Sequence, residues 1–254
     1  MCLIFIGLRS HPRYKVIVAA NRDEFYDRRT APASFWEDHP HILAGRDLEA
    51  SGTWLGITKG GRLCMVTNFR DPKNLHAKAP SRGKLVTDFL ADTRSGEEYL
   101  EKVEPHAKKY NGFSLIAGTV DALFYFSNYR DGIVMLNSGL FGLSNHLLET
   151  PWPKVEKGKS EIQELLRSST VQAGDLFRIL SDETIGADDR LPDTGIGLVR
   201  ERALSAAFIK SPGYGTRSST VILVDYNNHV SFHERIYDPS RSEFSYQTFQ
   251  YTIG

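Results

Sequence analysis

Apolar residues form two nearly continuous runs near the start of the chain, at 3–8 and 14–20. Runs of this length rich in Ile, Val and Phe are typical of strands, and the polar segment 10–13 between them predicts a turn. Alternate side chains of a strand point to opposite faces, so a run that is apolar at every position predicts cover on both faces. The pattern therefore predicts an antiparallel hairpin inside a layered structure.

The rest of the chain alternates pairs of predicted strands with predicted helices. Strands are predicted at 42–45, 52–57, 63–68, 113–117, 122–127, 206–209, 220–225, 230–237 and 244–251. Helices are predicted at 85–91, 95–109, 151–166 and 174–180, irregular segments at 26–40 and 182–200, and a glycine-flanked turn at 213–219. This order predicts an α+β fold with antiparallel sheets and outer helices, in a single domain over residues 1–254.

Composition excludes several broad classes of function. The chain has 31 Lys and Arg against 31 Asp and Glu, so no overall field favours nucleic acid. No run approaches the roughly 20 apolar residues of a membrane helix, and the first residues lack the features of a signal peptide. We therefore expect a cytoplasmic protein with no integral membrane segment. With two cysteines and no metal-binding spacing, we expect no metal or nucleotide cofactor.

Cys2 is the first candidate for chemistry, because it directly precedes the first apolar run. If Met1 is removed, Cys2 carries both a thiol and a free α-amine, whose ordinary pKa is near 8. Such an amine can act as the base for its own side chain, as in N-terminal nucleophiles. The alternative is that Cys2 is a small buried apolar residue, which is how we interpret Cys64 in the middle of its strand.

The second candidate is the polar cluster at the end of the second run, Asn21, Arg22, Asp23 and Glu24. Antiparallel pairing brings the start of the first strand beside the end of the second, so Cys2 and Arg22-Asp23 are expected to be neighbours. The alternative is a local capping or turn network, since Asn and Asp hydrogen-bond nearby backbone well.

Further polar residues stand at predicted strand ends or turns: Asn68, Asn145 and Arg217. Each has an ordinary explanation, since Asn145 can cap a helix and Arg217 can pair with a surface acid. With Cys2, Arg22 and Asp23 they also fit an amide-cleaving site, in which a thiol attacks and Asn side chains donate to an oxyanion.

Longer segments resemble one known family over nearly the whole chain. The motif Asn21-Arg22-Asp23-Glu24 is similar to the signature of the NRDE family, also called the transport and Golgi organisation protein 2 family. The other segments that carry the resemblance are 1–5, 19–26, 52–57, 67–68, 110–113, 142–145, 148–152 and 212–217. The resemblance implies a four-layer αββα sandwich of the N-terminal-nucleophile hydrolase type, with two antiparallel sheets between helical layers.

The chain also resembles, more distantly, the cholylglycine hydrolase and penicillin V acylase group. The resemblance implies a catalytic set of Cys2, Arg22, Asp23, Asn68, Asn145 and Arg217. That group spaces its Arg and Asp three residues apart, whereas Arg22 and Asp23 are adjacent here. Adjacent strand residues face opposite ways, so one of the two is expected to be structural.

The cellular role that the family resemblance implies is haem trafficking, with haem as a possible cargo and a membrane or haem protein as a transient partner. We select Cys2, Asn21, Trp54 and His146 as candidate ligand-binding residues, although no haem attachment motif is present. Haem binding is our first hypothesis. The alternatives are an N-terminal cysteine amidohydrolase and an acyl-chain or acyl-CoA binding protein, and whether the chain is an enzyme stays open.

Overall fold

The computed structural model describes residues 2–238 and 243–254. The strands within these ranges are β1 (Cys2–Leu8), β2 (Tyr14–Phe25), β3 (Thr30–Phe35), β4 (Ile42–Asp47), β5 (Leu55–Thr58), β6 (Arg62–Asn68), β7 (Phe113–Thr119), β8 (Ala122–Ser127), β9 (Arg130–Leu136), β10 (Gly139–Leu143), β11 (Lys210–Ser211), β12 (Tyr214–Asp225), β13 (His229–Tyr237) and β14 (Phe244–Thr252). The α-helices there are α1 (Gly83–Ala91), α2 (Gly96–Val103), α3 (Pro153–Leu166), α4 (Ala173–Leu180) and α5 (Leu198–Ala203). Short 3-10 helices occupy Pro72–Asn74, Glu104–Lys109 and Asp188–Arg190.

The strands form two antiparallel sheets. The first sheet has the order β10-β1-β2-β12-β13-β14, with the short β11 paired to β12. The second runs from β3 to β9 in chain order. In the first sheet, β2 pairs with β12 from near the other end of the chain, for example Ile17 with Leu223. Strands from the two ends of the chain therefore meet in one sheet.

Side chains of β1 alternate between two cores, which explains its continuous apolar run. Ile4 and Ile6 pack between the sheets in a core that includes Met65 of β6. Leu3 and Phe5 face the other way, into a core with residues of α3 and α4. Burying each such side chain contributes about 1.5–3 kcal/mol.

A third core lies between the second sheet and the helices α1 and α2, where Cys64 and Val66 pack with Phe89 and Leu100. The layers therefore follow the order helix, sheet, sheet, helix, and the predicted α+β sandwich is confirmed. Gly158 allows α3 to pack closely on β1, because a Cβ at this position would lie 2.2 Å from the Phe5 ring.

Several predicted elements were wrong in extent or type. β2 continues to Phe25, so the cluster at Asn21 is part of a strand rather than a cap. The irregular segment 26–40 contains β3, a strand at the edge of its sheet. Pro32 has no N–H to donate, and it lies in the irregular stretch between Ala31 and Ser34, where β3 and β4 are not in regular register. The strand predicted at 206–209 is a loop, and the turn predicted at 213–219 is mostly β12.

Two further differences concern the middle of the chain. The helix predicted at 95–109 ends at Val103 and continues as a 3-10 helix, whose first turn contains Pro105. Pro has no N–H to donate to the preceding turn, which explains the change of helix type. The strand β9 was not predicted, because its first three residues, Arg130, Asp131 and Gly132, are exposed and carry no apolar pattern.

Candidate functional site

Cys2 begins β1 and lies directly opposite Arg22 of β2. It belongs to the even-numbered residues of β1, which face the second sheet. Its side chain borders a cavity of about 380 Å³, and the residue is 8% exposed. The cavity, called here the Cys2 cavity, lies where the ends of β1, β2 and β6 meet the start of α1. Its lining residues are Cys2, Arg22, Asp23, Glu24, Arg28, Asp47, Thr53, Trp54, Val66, Asn68, Ala77, Ala79, Pro80, Ser81, Arg82, Gly83 and Asn111.

Arg22 is the charged group opposite Cys2. Its guanidinium lies 4.3 Å from the centre of the Trp54 ring, a cation–π contact, and its Nη1 donates to Thr30 Oγ1 at 3.2 Å. Its Nη2 lies 3.8 Å from carboxylate oxygens of both Glu24 and Asp47. Burial lowers the pKa of Arg22, and the Glu24 carboxylate opposes this effect.

Other charged groups surround the same cavity. Arg28 Nε donates to Asp47 Oδ2 at 2.7 Å, which makes this the shortest ion pair at the site. Arg82 Nη1 donates to the carbonyl oxygen of Gly112 at 3.0 Å. The lining is therefore strongly polar, with Trp54 and Val66 contributing apolar surface.

Asn21 does not line the cavity, because it faces the helices. Its Nδ2 donates to the carbonyl oxygens of Leu180 and Ala207, both at 2.8 Å, and its Oδ1 accepts from Ser219 Oγ at 2.5 Å. The amide therefore fastens β2 to the end of α4 and to the loop before β11. This arrangement assigns Asn21 a structural position rather than a ligand-binding one.

Asp23 shares the helix-facing side with Asn21, as strand alternation requires, but it lies at the end of the cluster and also borders the Cys2 cavity. Its Oδ1 accepts from Thr216 Oγ1 at 2.7 Å. Burial raises the pKa of Asp23, and the Lys154 ammonium group opposes this effect. The expected separation of Arg22 and Asp23 onto opposite faces is thus present, and Arg22 is the one that faces the second sheet.

The two candidate asparagines are linked to each other. Asn145 is fully buried, and its Nδ2 donates to the carbonyl oxygen of Asn68 at 3.0 Å. Its neighbour Ser144 donates to the carbonyl oxygen of Cys2 at 3.4 Å. Asn68 lines the Cys2 cavity and Asn145 does not. Through Ser144 and Asn145, the segment after β10 therefore joins the start of β1 to the end of β6.

Two other candidates lie away from the lining of the cavity. Arg217 Nη1 donates to the carbonyl oxygens of Phe25 at 2.7 Å and Arg28 at 3.1 Å, so it braces the turn after β2. The ring of His146 packs against Phe69, and its Nδ1 is 2.9 Å from Thr150 Oγ1. Burial lowers the pKa of His146.

Sequence reasoning missed buried charges on the helix-facing side. Arg70 and Glu201 form a buried ion pair at 2.6 Å, and Lys154 is also buried, with its Nζ donating to the carbonyl oxygen of Leu204 at 2.9 Å. Burial lowers the pKa of Lys154 to about 8. No local pattern marks these charged residues as buried, because charged side chains are mostly exposed. Together with Asn21, Asp23, Thr216 and Ser219 they form what we call the closed polar network.

The Cys2 thiol is largely buried at the border of the cavity. Burial raises its pKa, while the Arg22 guanidinium acts to lower it. Met1, whose removal would free the Cys2 amine, lies outside the described residues. Within 2–238 and 243–254, no group of three or more His, Cys, Asp or Glu side chains could hold a metal ion. No helix in those ranges is long and apolar enough to cross a membrane.

Comparison with known proteins identifies the family. The family model described as Transport and Golgi organisation 2 matches residues 1–239. The human Transport and Golgi organization protein 2 homolog is 39% identical over 275 residues, covering 100% of this chain and 99% of the relative. The chain belongs to the Transport and Golgi organisation 2 family. The resemblance deduced from the NRDE motif and the longer segments is therefore confirmed.

Comparison with solved structures shows which fold the chain shares with other proteins. A cysteine-to-alanine mutant of the conjugated bile acid hydrolase from Clostridium perfringens has a TM-score of 0.52 at 8% identity, covering 100% of this chain and 97% of that one. A Caenorhabditis elegans ortholog of N-acylethanolamine-hydrolyzing acid amidase also has a TM-score of 0.52, at 11% identity, covering 87% of this chain and 92% of that one. The fold is therefore of the N-terminal-nucleophile hydrolase type.

Proposed function

We propose that this chain binds haem as a cargo in the Cys2 cavity and releases it to a partner. The observation that carries the proposal is a cysteine thiol at the edge of a cavity that small molecules can enter. A cysteine thiolate is one of the side chains that ligate haem iron. Trp54 and Val66 supply apolar surface beside Cys2, and the guanidinium groups of the lining suit the propionates of haem.

The test is a titration of the purified chain with haemin, followed by visible absorbance. We expect saturable binding at one haem per chain, and a changed spectrum or weaker binding in Cys2→Ala. Cys64→Ala is the matched control, because it removes the other thiol from a fully buried position in the helix-facing core of the second sheet. No saturable binding by the wild type would refute the proposal. Equal binding by Cys2→Ala would refute the role of Cys2 and make His146→Ala the next variant.

A second candidate is an N-terminal cysteine amidohydrolase. The observation that favours it is the proximity of the asparagines, since Asn68 lines the Cys2 cavity and Ser144-Asn145 bonds to the backbone of Cys2 and Asn68. In this reaction the Cys2 sulfur would form a bond to an amide carbonyl carbon. The C–N bond would break as the leaving amine takes a proton, and water would then hydrolyse the thioester.

This candidate requires a free amine on Cys2, so the first measurement is the intact mass of the purified chain. Retention of Met1 would refute the amine-activated mechanism. If Met1 is absent, release of amine from a panel of N-acyl amides is measured for wild type, Cys2→Ala and Cys64→Ala. We expect turnover in the wild type and the Cys64 variant, and none in Cys2→Ala.

A further inference from the structure

Arg82 differs from the other guanidinium groups of the Cys2 cavity. It directly precedes α1, is half-buried and lines the cavity. Its guanidinium donates to a neutral group, the carbonyl oxygen of Gly112. Arg22 and Arg28, in contrast, lie within 4 Å of the carboxylates of Glu24 and Asp47.

The acids of the cavity are already engaged elsewhere. Glu24 and Asp47 contact Arg22 and Arg28, and Asp23 faces the helices, where it accepts from Thr216. Among the described parts of the chain, no carboxylate oxygen lies within 4.0 Å of the Arg82 guanidinium. A partly desolvated cation without an ionic partner is unfavourable, and an anion bound from solution would relieve this cost.

The charge of Arg82 also contributes to the electrostatic potential at the Cys2 thiol. Burial lowers the pKa of Arg82, whereas the charges of Glu24 and of the Cys2 thiolate act to raise it. The influence is mutual, so the Arg82 charge is felt by whatever approaches Cys2. Both side chains border one cavity, and a bound ligand can contact both.

We propose that Arg82 is a specificity-determining residue of the Cys2 cavity and selects ligands that carry an oxyanion, either a carboxylate or a phosphate, near the group that meets Cys2. The proposal rests on the proposed function only in treating this cavity as the ligand site. A haem propionate is one carboxylate of this class, and the charge selection holds equally for an acylated amide or a phosphate-bearing ligand.

The test measures charge selection by the cavity without any assumed ligand. Two methanethiosulfonate reagents of similar size are used, one with a sulfonate and one with a trimethylammonium group. The Cys2 thiolate attacks the reagent's sulfenyl sulfur, a disulfide forms, and methanesulfinate leaves. The rate of labelling is followed by mass spectrometry of the Cys2 peptide, and the ratio of the two rates is normalised to that of N-acetylcysteine.

We expect the normalised ratio to favour the anionic reagent in the wild type and to fall by about 25-fold in Arg82→Gln. One unit charge a few ångströms away in a water-like medium changes the rate about fivefold for each reagent, and the two reagents change in opposite directions. Arg82→Lys keeps the charge and is expected to keep the ratio. Arg62→Gln is the matched control, because Arg62 also donates to a backbone carbonyl, that of Phe89, but does not line the cavity. An unchanged ratio in Arg82→Gln, or an equal fall in Arg62→Gln, would overturn the proposal.

A protection experiment separates the two sources of the oxyanion. Labelling of Cys2 by neutral methyl methanethiosulfonate is measured in phosphate, acetate or chloride at equal ionic strength. Slower labelling in phosphate alone identifies a phosphate ligand, and slower labelling in acetate identifies a carboxylate, provided that Arg82→Gln abolishes the effect. Protection by neither anion would count against the proposal. Failure to bind haemin, with charge selection intact, would refute the haem cargo alone.

Discussion

Two polar regions lie back to back on β2, and they differ in how short their polar contacts are. Arg22 and Glu24 face the Cys2 cavity, where their ion-pair distance is 3.8 Å. Asn21 and Asp23 face the closed polar network, where their hydrogen bonds are 2.5–2.8 Å long and each residue is 1% exposed, and Asp23 also borders the Cys2 cavity. One strand thus supplies a tightly bonded side and a side that retains room for a ligand.

The comparison shows that four consecutive polar residues do not make one site. A strand has a period of two, so the NRDE motif is divided into a half that holds the sheet to the helices and a half that faces the cavity. Substitutions on the closed side should therefore change stability, and substitutions on the cavity side should change ligand contact or thiol reactivity with little effect on stability. The predictions at Arg70, Asn21 and Cys2 test this division, and the prediction at Glu234 tests a buried charge outside both regions. They run from the largest expected effect to the smallest.

The largest effect is expected from the buried ion pair of the closed polar network. Arg70→Ala leaves the Glu201 carboxylate buried without its cation, and the free energy of unfolding should fall by about 3–5 kcal/mol. Urea unfolding measures the change. Lys84→Ala, which breaks an exposed helical pair with Asp88, is the control and should cost less than about 0.5 kcal/mol. Similar losses for the two variants would contradict the distinction between buried and exposed charge.

The second effect is a pH dependence of stability that comes from Glu234 of β13, a buried carboxyl close enough to Arg22 for their charges to interact. Its Oε2 accepts from the backbone N–H of Ala33 at 2.7 Å, and burial raises its pKa from 4.5 to about 7. A carboxyl with a raised folded-state pKa binds its proton more tightly when folded. Its contribution is therefore complete below about pH 4.5 and is lost as the pH rises through about 7, by about 3 kcal/mol.

Glu234→Gln isolates this effect, because glutamine keeps an acceptor for the Ala33 N–H and does not titrate. Unfolding by urea is measured for both proteins between pH 4 and 8. The wild type should lose stability relative to Glu234→Gln as the pH rises, and histidines cancel in the difference. Parallel curves would show that Glu234 titrates normally.

Much of this architecture could be predicted from the sequence, because the first two strands have an unambiguous pattern. The runs at 3–8 and 14–20 are apolar at every position, which predicts two covered faces and a hairpin. The hairpin in turn places Cys2 beside Arg22. Strand alternation also predicted that Arg22 and Asp23 would separate, although only the observed register shows which of them faces the second sheet.

The remaining site residues could not be predicted, for a physical reason. Asp47 comes to the Cys2 cavity from β4 in the second sheet, and Arg82 comes from the segment before α1. Their positions depend on how the two sheets pack, which no local pattern encodes. Lys154 follows Pro-Trp-Pro in a helix start and has no local signal of burial, so its contact with Leu204 appears only once α3 is packed.

A smaller loss of stability is expected from Asn21, which tests the structural half of the motif. Asn21→Ala leaves the carbonyl oxygens of Leu180 and Ala207 buried without this donor, and we expect a loss of about 2 kcal/mol. Asn227→Ala in the exposed turn between β12 and β13 is the control and should change stability by under about 0.5 kcal/mol. If Asn21→Ala instead abolished ligand binding without loss of stability, the division of the motif would be wrong.

The smallest effect is expected at Cys2 itself, and it sharpens the contrast with Cys64. Cys2→Ser places a hydroxyl at the border of a polar cavity, so the free energy of unfolding should change by under about 1 kcal/mol. Cys64→Ser places the same hydroxyl among apolar side chains at 0% exposure and should cost about 1–3 kcal/mol. Native alkylation with iodoacetamide gives an independent measure, because Cys2 should be labelled while Cys64 is protected until the chain unfolds. Equal stability losses, with neither thiol labelled before the chain unfolds, would mean that the two thiols share one environment and that the Cys2 cavity is not open to ligands.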